Sequence, residues 1–375
     1  MSKKILLTAT ELHLHQFWIP HIENFINNGY TVDIICSNVS NKIDILKEKL
    51  GDLPVSVDIV DLARSPFRPS NINGYRQMKK LLSEREYDII MTNEPVMGVV
   101  TRLAAKKYRK KGTKVLYTAH GFHFFTGAPK LNWLIFYPIE KWLSHYTDAL
   151  VTINTEDYDR AKRKFKAKNT YYIHGIGVNT DKLERSISPE NIRDLLKIDK
   201  NDFIVFSIGE LNNNKNHQVI IRALGELKDS NIHYVICGKG DQLDCLENLA
   251  KELNVKDNVH FLGYRNDIAD ICDQADVFAF PSHREGLGLA PLEAMYCGLP
   301  MITSDIRGPV DFMQPGKNGE ICDPDDYKGF ACAINKIKSD YNLRKQYAEM
   351  SRKIVEPYCM DSVKKELFQI TKNLS

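Results

Sequence analysis

Short apolar runs alternate with helix-patterned segments along almost the whole chain, and this alternation limits the possible folds more than any other feature. In the first half the strand-like runs are Lys4–Thr8, Thr31–Cys36, Val55–Asp61, Ile89–Thr92, Lys114–Thr118 and Ala149–Ile153. Helix patterns such as Gln16–Asn28 and Ser70–Glu86 lie between them. In the second half the runs Phe203–Gly209, His233–Cys237, Val259–Leu262, Val277–Phe280 and Met301–Thr303 alternate with Asn216–Lys228, Asp241–Leu253, Asp267–Gln274 and Leu289–Tyr296. Strands separated by helices pair in parallel, because a crossover element must carry the chain back along the sheet. The rhythm occurs twice. It predicts an α/β chain of two doubly wound domains facing each other.

The length of 375 residues suits two ordinary domains better than one. The break falls between the strand-like run near Tyr171–His174 and the one starting at Phe203, where Gly175, Gly177 and Pro189 suit a connector. The expected units are residues 1–178 and 179–354. Residues 355–375, with Pro357 near their start, form a further helix expected to cross back to the first unit. At 43% hydrophobic residues the chain has enough apolar mass for two cores. No apolar run approaches the ~18 residues of a spanning helix, and the opening MSKKILLTATELH is too short and too polar for a signal core. The expected location is the cytoplasm. The eight cysteines form no C-x-x-C pair and read as reduced residues in or near the core, with no zinc site.

The net charge of +3 conceals an asymmetry. Residues 1–185 carry 28 Lys and Arg against 19 Asp and Glu, and the remainder carries 23 against 29. A basic first half suits anionic lipid or a phosphorylated acceptor, or is simply a solvated face. Nucleic acid is not an expected partner.

In parallel sheets ligands bind outside the carboxyl ends of the strands, so the segments just after each strand carry the functional reading. The run Phe278–Pro300, FAFPSHREGLGLAPLEAMYCGLP, leads from a strand through a glycine loop into a helix. Such a loop offers uncapped backbone N–H groups and the positive end of the helix dipole, a site for phosphate. Two carboxylates, Glu285 and Glu293, stand eight residues apart around it, suited to sugar and ribose hydroxyls or to helix capping. After the strand at Phe203 comes GELNNNKN, with Lys215 placed to neutralise a diphosphate or to lie exposed in a loop. His120, in KVLYTAHGFHF, follows a strand of the first unit and is either a site residue or a hydrogen-bonded structural one; His123 is a weaker candidate. HYVICGKGD around Gly240 reads as a tight turn bringing backbone close to a ligand, and Tyr264 and Arg265 as a border for a nucleobase. Asp323-Pro324-Asp325 lies in a turn and is not expected to hold metal.

Taken together these motifs resemble the retaining GT-B glycosyltransferases, a family with two Rossmann-like domains across a cleft that includes bacterial capsule and exopolysaccharide enzymes. The resemblance is clearest over the second unit. It implies that the E-x7-E pair binds a nucleotide diphosphate sugar, with Glu285 on the sugar and Glu293 on the ribose, and that the amides around Gly288 and Leu289 hold phosphate. The family's G-R-L-x-x-x-K motif matches Gly209, Leu211 and Lys215 but meets Glu210 in place of its arginine. The family's catalytic-side histidine matches His120. The opening Gly-Gly loop is replaced by TATELHLH, in which His13 precedes Phe17 by four residues, as in a branch of polysaccharide-assembly enzymes.

The resemblance implies transfer of a hexosyl or N-acetylhexosaminyl group, with uridine diphosphate as the expected carrier, to a glycan or lipid-diphosphate acceptor in bacterial surface polysaccharide assembly. No metal is expected. A sugar-nucleotide epimerase of the same fold and a non-catalytic partner protein are the competing readings. Arg307 is the candidate to replace the lost arginine, with Glu210 orienting it or Lys215. The basic stretch Ala104–Gly112 and the aromatic stretch Phe122–Leu143 are candidates for peripheral contact with the inner membrane face.

Overall fold

The computed structural model describes every residue except Met1, Glu11, His13, Leu14, His15, Ser188 and Ser375. His13 therefore lies outside the described residues. The chain divides into two compact units, residues 1–177 with 360–375, and residues 178–359.

The first unit holds strands β1 (Lys4–Ala9), β2 (Thr31–Cys36), β3 (Ser56–Ile59), β4 (Ile89–Asn93), β5 (Lys114–Ala119), β6 (Ala149–Thr152) and β7 (Asn169–Tyr172). They form one parallel sheet in the order β3-β2-β1-β4-β5-β6-β7. Its helices are α1 (Ile19–Asn27), α2 (Ile43–Leu50), α3 (Ser70–Glu84), α4 (Pro95–Arg109), α5 (Lys130–Leu143) and α6 (Thr155–Lys164). The central strands β4 and β6 are buried throughout, which is why they read as unbroken apolar runs rather than alternating ones. Strand β3 lies at the edge, is only half-buried, and is shorter than its apolar run suggested. The run continues into Val60 and Leu62, which pack into the core after the strand has ended.

The second unit opens with α7 (Ile192–Leu196) and continues through β8 (Phe203–Ile208), α8 (His217–Leu227), β9 (Ile232–Cys237), α9 (Leu243–Glu252), β10 (Val259–Gly263), α10 (Ile268–Gln274) and β11 (Val277–Phe280). It ends with α11 (Leu289–Cys297), β12 (Met301–Ser304), β13 (Gly319–Cys322), α12 (Tyr327–Ser339) and α13 (Tyr341–Val355). The parallel order is β10-β9-β8-β11-β12-β13. Strand β13, sequence GEIC, is absent from the sequence reading because its pattern is too short and too polar to stand out. Phe206 and Phe278 meet edge-on at 5.7 Å between the central strands, and both are fully buried.

The segment expected as a connector is folded into the second unit. Arg193 donates to the carbonyls of Asp199, Asp202 and Gln274, which ties α7 down. The chain leaves the first unit after Gly177, and Val178 N–H donates to Tyr358 O where the chain returns. The terminal helix also begins later than its pattern suggested. Pro357 sits in a 3-10 turn, Glu356–Tyr358, and α14 (Met360–Leu374) follows. Helix α14 packs on α1, and Glu366 takes both the backbone N–H and the ring Nδ1 of His174, at 3.0 and 2.6 Å.

The eight cysteines are free thiols, four of them buried; Cys245 and Cys332 are exposed rather than in the core. Among the described residues no helix is long and apolar enough to cross a membrane.

Candidate functional site

Each sheet presents its strand ends along one edge, and the singled-out residues fall on those edges. In the second unit the loop after β8 is stitched to the loop after β11. Asn212 Oδ1 accepts the backbone N–H of Lys215 at 2.9 Å, Asn214 Nδ2 donates to Arg284 O at 3.0 Å, and His283 N–H donates to Asn214 O at 2.8 Å. Asn216, in the left-handed region at φ 54°, donates to Pro281 O and Pro324 O at 3.0 and 2.8 Å. Asparagine tolerates this backbone and supplies the bonds, so the NNNKN run is a positioning device. An asparagine cluster at a strand end is the sequence signal for such a device.

The stitched loops bring Lys215 Nζ to 2.6 Å from Glu285 Oε1, with both side chains mostly buried. Lys215 also lies over the Phe280 ring, 5.1 Å from its centre. A partly desolvated, charge-assisted pair of this kind is held firmly and acts as one unit. Arg307 donates from Nε to Glu285 O at 3.2 Å, so it stands against the same loop. Glu210 does not orient Lys215 as suggested. It is exposed and accepts from Asn212 Nδ2 at 2.9 Å, because the short loop turns its side chain toward Asn212 and leaves Lys215 to Glu285.

Gly288 precedes α11 at φ 97°, ψ 109°, a conformation that favours glycine, and no side chain caps the helix. Leu289 is the first helical residue. Glu293, one turn further, is largely buried. Burial pushes its carboxyl above the usual range, partly offset by Lys182. Such a group suits hydrogen bonding to hydroxyls.

Gly240 is required by its neighbouring loop. A Cβ there would lie 2.2 Å from Leu211 O, and one at Gly238 would lie 1.8 Å from Gly209 O. The backbone approached is that of the neighbouring loop, whose Leu211 N–H bonds Lys239 O at 3.1 Å. Arg265 is likewise engaged. Its Nε donates to Asp267 at 2.7 Å and its Nη2 to Glu190 at 2.8 Å, while Tyr264 beside it is exposed.

His217, at the start of α8, was not foreseen. Ser207 donates its single proton to Ala279 O at 2.6 Å, and Tyr234 donates its own to Ser207 at 2.9 Å. His217 Nδ1, 2.8 Å from the Tyr234 oxygen, must then be the donor. That leaves Nε2 as a bare acceptor, buried without a well-formed hydrogen bond against the backbone of Gly209 and Glu210. Burial first, and then the charge of Lys215, lower its pKa to about 4.

In the first unit Thr10, Glu94 and His120 follow β1, β4 and β5. His120 Nε2 lies 3.3 Å from Asn93 Oδ1, and Phe17 packs against its ring at 5.7 Å. Glu94 adopts φ 65°, ψ 155°, a strained backbone for a residue with a side chain, and its carboxylate accepts the N–H of Thr10. Such strain clusters at functional sites. His123 packs against Phe136, ring centres 4.7 Å apart and tilted by 31°, and lines an apolar cavity of about 520 Å³ together with Thr10, Glu94, Phe67, Ile135 and Ile139. Among the described residues no three His, Cys, Asp or Glu gather into a metal-binding group.

Comparison with known proteins matches each half. Residues 188–354 fit the family described as Glycosyl transferases group 1, and residues 4–154 fit Glycosyl transferase 4-like. EpsD of Bacillus subtilis, described as a glycosyltransferase, is 40% identical over 94% of this chain and 92% of its own. An Escherichia coli UDP-Gal:alpha-D-GlcNAc-diphosphoundecaprenol alpha-1,3-galactosyltransferase is 28% identical over 91% and 88%. Among solved structures, Anabaena HepE in complex with UDP superposes with a TM-score of 0.80 at 18% identity, covering 100% of both chains. Sucrose-phosphate synthase from Thermosynechococcus elongatus gives 0.79 at 18% identity, over 99% of both. Two parallel-sheet, Rossmann-like units and an EpsD-like sequence over 94% of its length make this chain a GT-B protein that belongs to the group 1 glycosyltransferases.

Proposed function

We propose that the chain is a retaining glycosyltransferase that moves a hexosyl or N-acetylhexosaminyl group from a UDP-sugar to a glycan or lipid-diphosphate acceptor in bacterial surface polysaccharide assembly. The observation that carries this reading is the Lys215–Glu285 pair at 2.6 Å, with Arg307 on the Glu285 carbonyl and the uncapped start of α11 in the same loop system. The second unit binds the donor and the first binds the acceptor. The diphosphate that leaves is anionic, and the anomeric carbon gains positive charge as it goes. Lys215, Arg307 and the amides of Gly288 and Leu289 stabilise the diphosphate. Glu285 holds Lys215 and the reacting sugar, Glu293 holds the ribose, and Gly209 leaves room for the Lys215 stem.

The bond from the anomeric carbon to the diphosphate breaks, and the bond to the acceptor oxygen forms on the same face. The acceptor proton passes to a phosphate oxygen. His120, oriented by Asn93 and Phe17, positions the sugar. Tyr264 and the ion-paired Arg265 border the base. The lipid-diphosphate substrate named for the Escherichia coli relative, the UDP of the HepE complex and the basic first half support acceptor, donor and contact with an anionic membrane, respectively.

Mass spectrometry of a UDP-sugar panel incubated with the protein tests the reading. Free UDP is the expected product. An epimerised donor would make the chain an epimerase, and an unchanged panel would point to a non-catalytic partner.

A further inference from the structure

Helix α5 is apolar on two faces. Its inner face is core: Trp133 and Tyr137 pack on Phe124 at 5.7 and 5.4 Å, and Glu140 forms a buried pair with Arg102 at 2.9 Å. Phe122 and Phe124 are themselves buried, so the aromatic half of the stretch 122–143 is core and not the membrane surface its composition suggested. The outer face is apolar as well. Leu131, Leu134 and Trp142 are 63%, 74% and 50% exposed, and with Pro138 they follow a spacing of three, four and four residues, one stripe on a helix. A surface helix normally turns charge to water. This one turns leucine and tryptophan outward.

The loop ahead of α3 adjoins the neighbouring flank of α5, where Ile135 and the exposed Ile139 line one cavity with Phe67. Phe67 is 79% exposed and stands between Arg64 and Arg68, neither of which has an ion-pair partner among the described residues. The loop is held rather than slack. Asn71 accepts from Ala63 N–H at 2.8 Å and donates to Ser65 O at 2.9 Å, and Pro66 and Pro69 flank the phenylalanine. Phe67 is thus held outward. Loop and helix meet at the 520 Å³ cavity, whose lining runs from Phe67, Ile135 and Ile139 to Thr10 and Glu94 at the strand ends.

From α4 to β6 the charge is mostly of one sign, and Glu94 stands apart at the inner end of the cavity. From Thr101 to Leu150 the chain carries nine Lys and Arg against two acids, and both acids, Glu140 and Asp148, are tied to Arg102 and Arg109. Lys106 lies over the Tyr146 ring at 4.7 Å, and that ring meets Trp142 edge-on at 5.4 Å, so the basic end of α4 adjoins the apolar stripe. Lys130 and Lys141 are on α5 itself. An apolar stripe with tryptophan at its end and unneutralised cations along its border fits the headgroup layer of an anionic bilayer.

We propose that the outer face of α5 and the loop around Phe67 form a docking surface for an anionic membrane, with α5 lying in the headgroup plane and the cavity opening from that plane toward the strand ends. This rests on the proposed transfer to a membrane-anchored acceptor, whose arrival such a path serves.

Flotation of the full chain with phosphatidylcholine vesicles and with vesicles containing phosphatidylglycerol tests it. The wild type binds the anionic vesicles at least about tenfold more tightly than the neutral ones, and salt weakens the binding. Arg64→Ala with Arg68→Ala lowers binding to anionic vesicles. Phe67→Asp with Leu134→Asp abolishes binding to both. All four positions are exposed, so the thermal unfolding midpoint stays at the wild-type value and verifies the fold. Binding to neither vesicle by the wild type overturns the proposal, as does wild-type binding by the Phe67→Asp, Leu134→Asp variant. A dimer in the ultracentrifuge that Leu134→Asp splits, without vesicle binding, overturns it in favour of self-association. Release of UDP in the absence of vesicles reports on the transferase reading separately.

Discussion

At the strand ends of the second unit, three asparagines, a lysine and a glutamate are joined by hydrogen bonds of 2.6 to 3.0 Å into one polar assembly. At the same edge of the first unit a strained Glu94 and a His120 held by Asn93 and Phe17 stand near an apolar cavity that reaches an exposed phenylalanine. The two sheets are built by the same rules and differ in what their loops do. Polar loops that hydrogen-bond one another are rigid before any ligand arrives, which suits a ligand of constant chemistry such as a nucleotide diphosphate. A cavity with apolar walls and a few polar groups near the strand ends suits a partner recognised by shape and burial. Under the proposed function this is the difference between a donor shared by many enzymes and an acceptor particular to one.

The largest test of that contrast is structural. Glu140→Ala leaves the Arg102 charge buried without its partner, at a cost of about 3–5 kcal/mol. The denaturation midpoint falls, and UDP affinity measured well below the transition stays near wild type, since the pair belongs to the first unit. Loss of UDP affinity in the folded variant would show that the units are not independent.

Lys215→Ala acts on the polar edge alone. Turnover falls by about 10²–10³, the scale of losing one fixed group that faces developing charge. Because Lys215 and Glu285 are one pair, Glu285→Ala and the double variant fall by amounts that do not add. A double-mutant cycle in kcat measures this, and additive losses would separate the two residues.

Arg307→Ala lowers turnover by about tenfold or somewhat more, and Arg307→Lys restores only part of it, because a lysine lacks the planar fork. Unchanged kinetics would leave Lys215 and the helix start as the cationic support. Glu293→Ala weakens UDP binding by about tenfold, the worth of a charge-assisted hydrogen bond, whereas Glu285→Ala mainly slows turnover. Equal affinity losses, measured by calorimetry, would remove that division.

The smallest effect is with pH. Burial holds His21 in the first unit and His217 and His260 in the second near pKa 4, below the value of about 6.5 in an unfolded chain. The unfolded state therefore binds more protons between those values. The stability these histidines contribute is complete above pH 6.5 and declines as pH falls toward 4, by at most about 1.4 kcal/mol per pH unit for each. With two of the three, the second unit declines more steeply. His217→Asn flattens that decline in unfolding curves taken from pH 7 to 4.5; an unaltered slope would mean that His217 titrates normally.

Much of this molecule follows from local pattern. Twelve of the thirteen strands among the described residues lie where apolar runs predicted them, since a buried parallel strand needs four to six apolar residues in a row and turn residues on each side. Lys215, Glu285, Gly288 and His120 lie at strand ends because a βα unit puts its loop residues there whatever the rest of the chain does. Strand β13 and the late start of α14 escaped notice: the first is held by pairing with β12, and the second is displaced by Pro357. Which side chain meets which was a different matter. That Lys215 pairs with Glu285 and not Glu210, that Gly240 makes room for the Leu211 backbone, and that Phe122 and Phe124 are core while Phe67, Leu134 and Trp142 face water all depend on contacts between residues distant in sequence. A periodic pattern reports which positions are buried along one element. It carries no information on the neighbour that buries them, and three-dimensional packing alone supplies that neighbour.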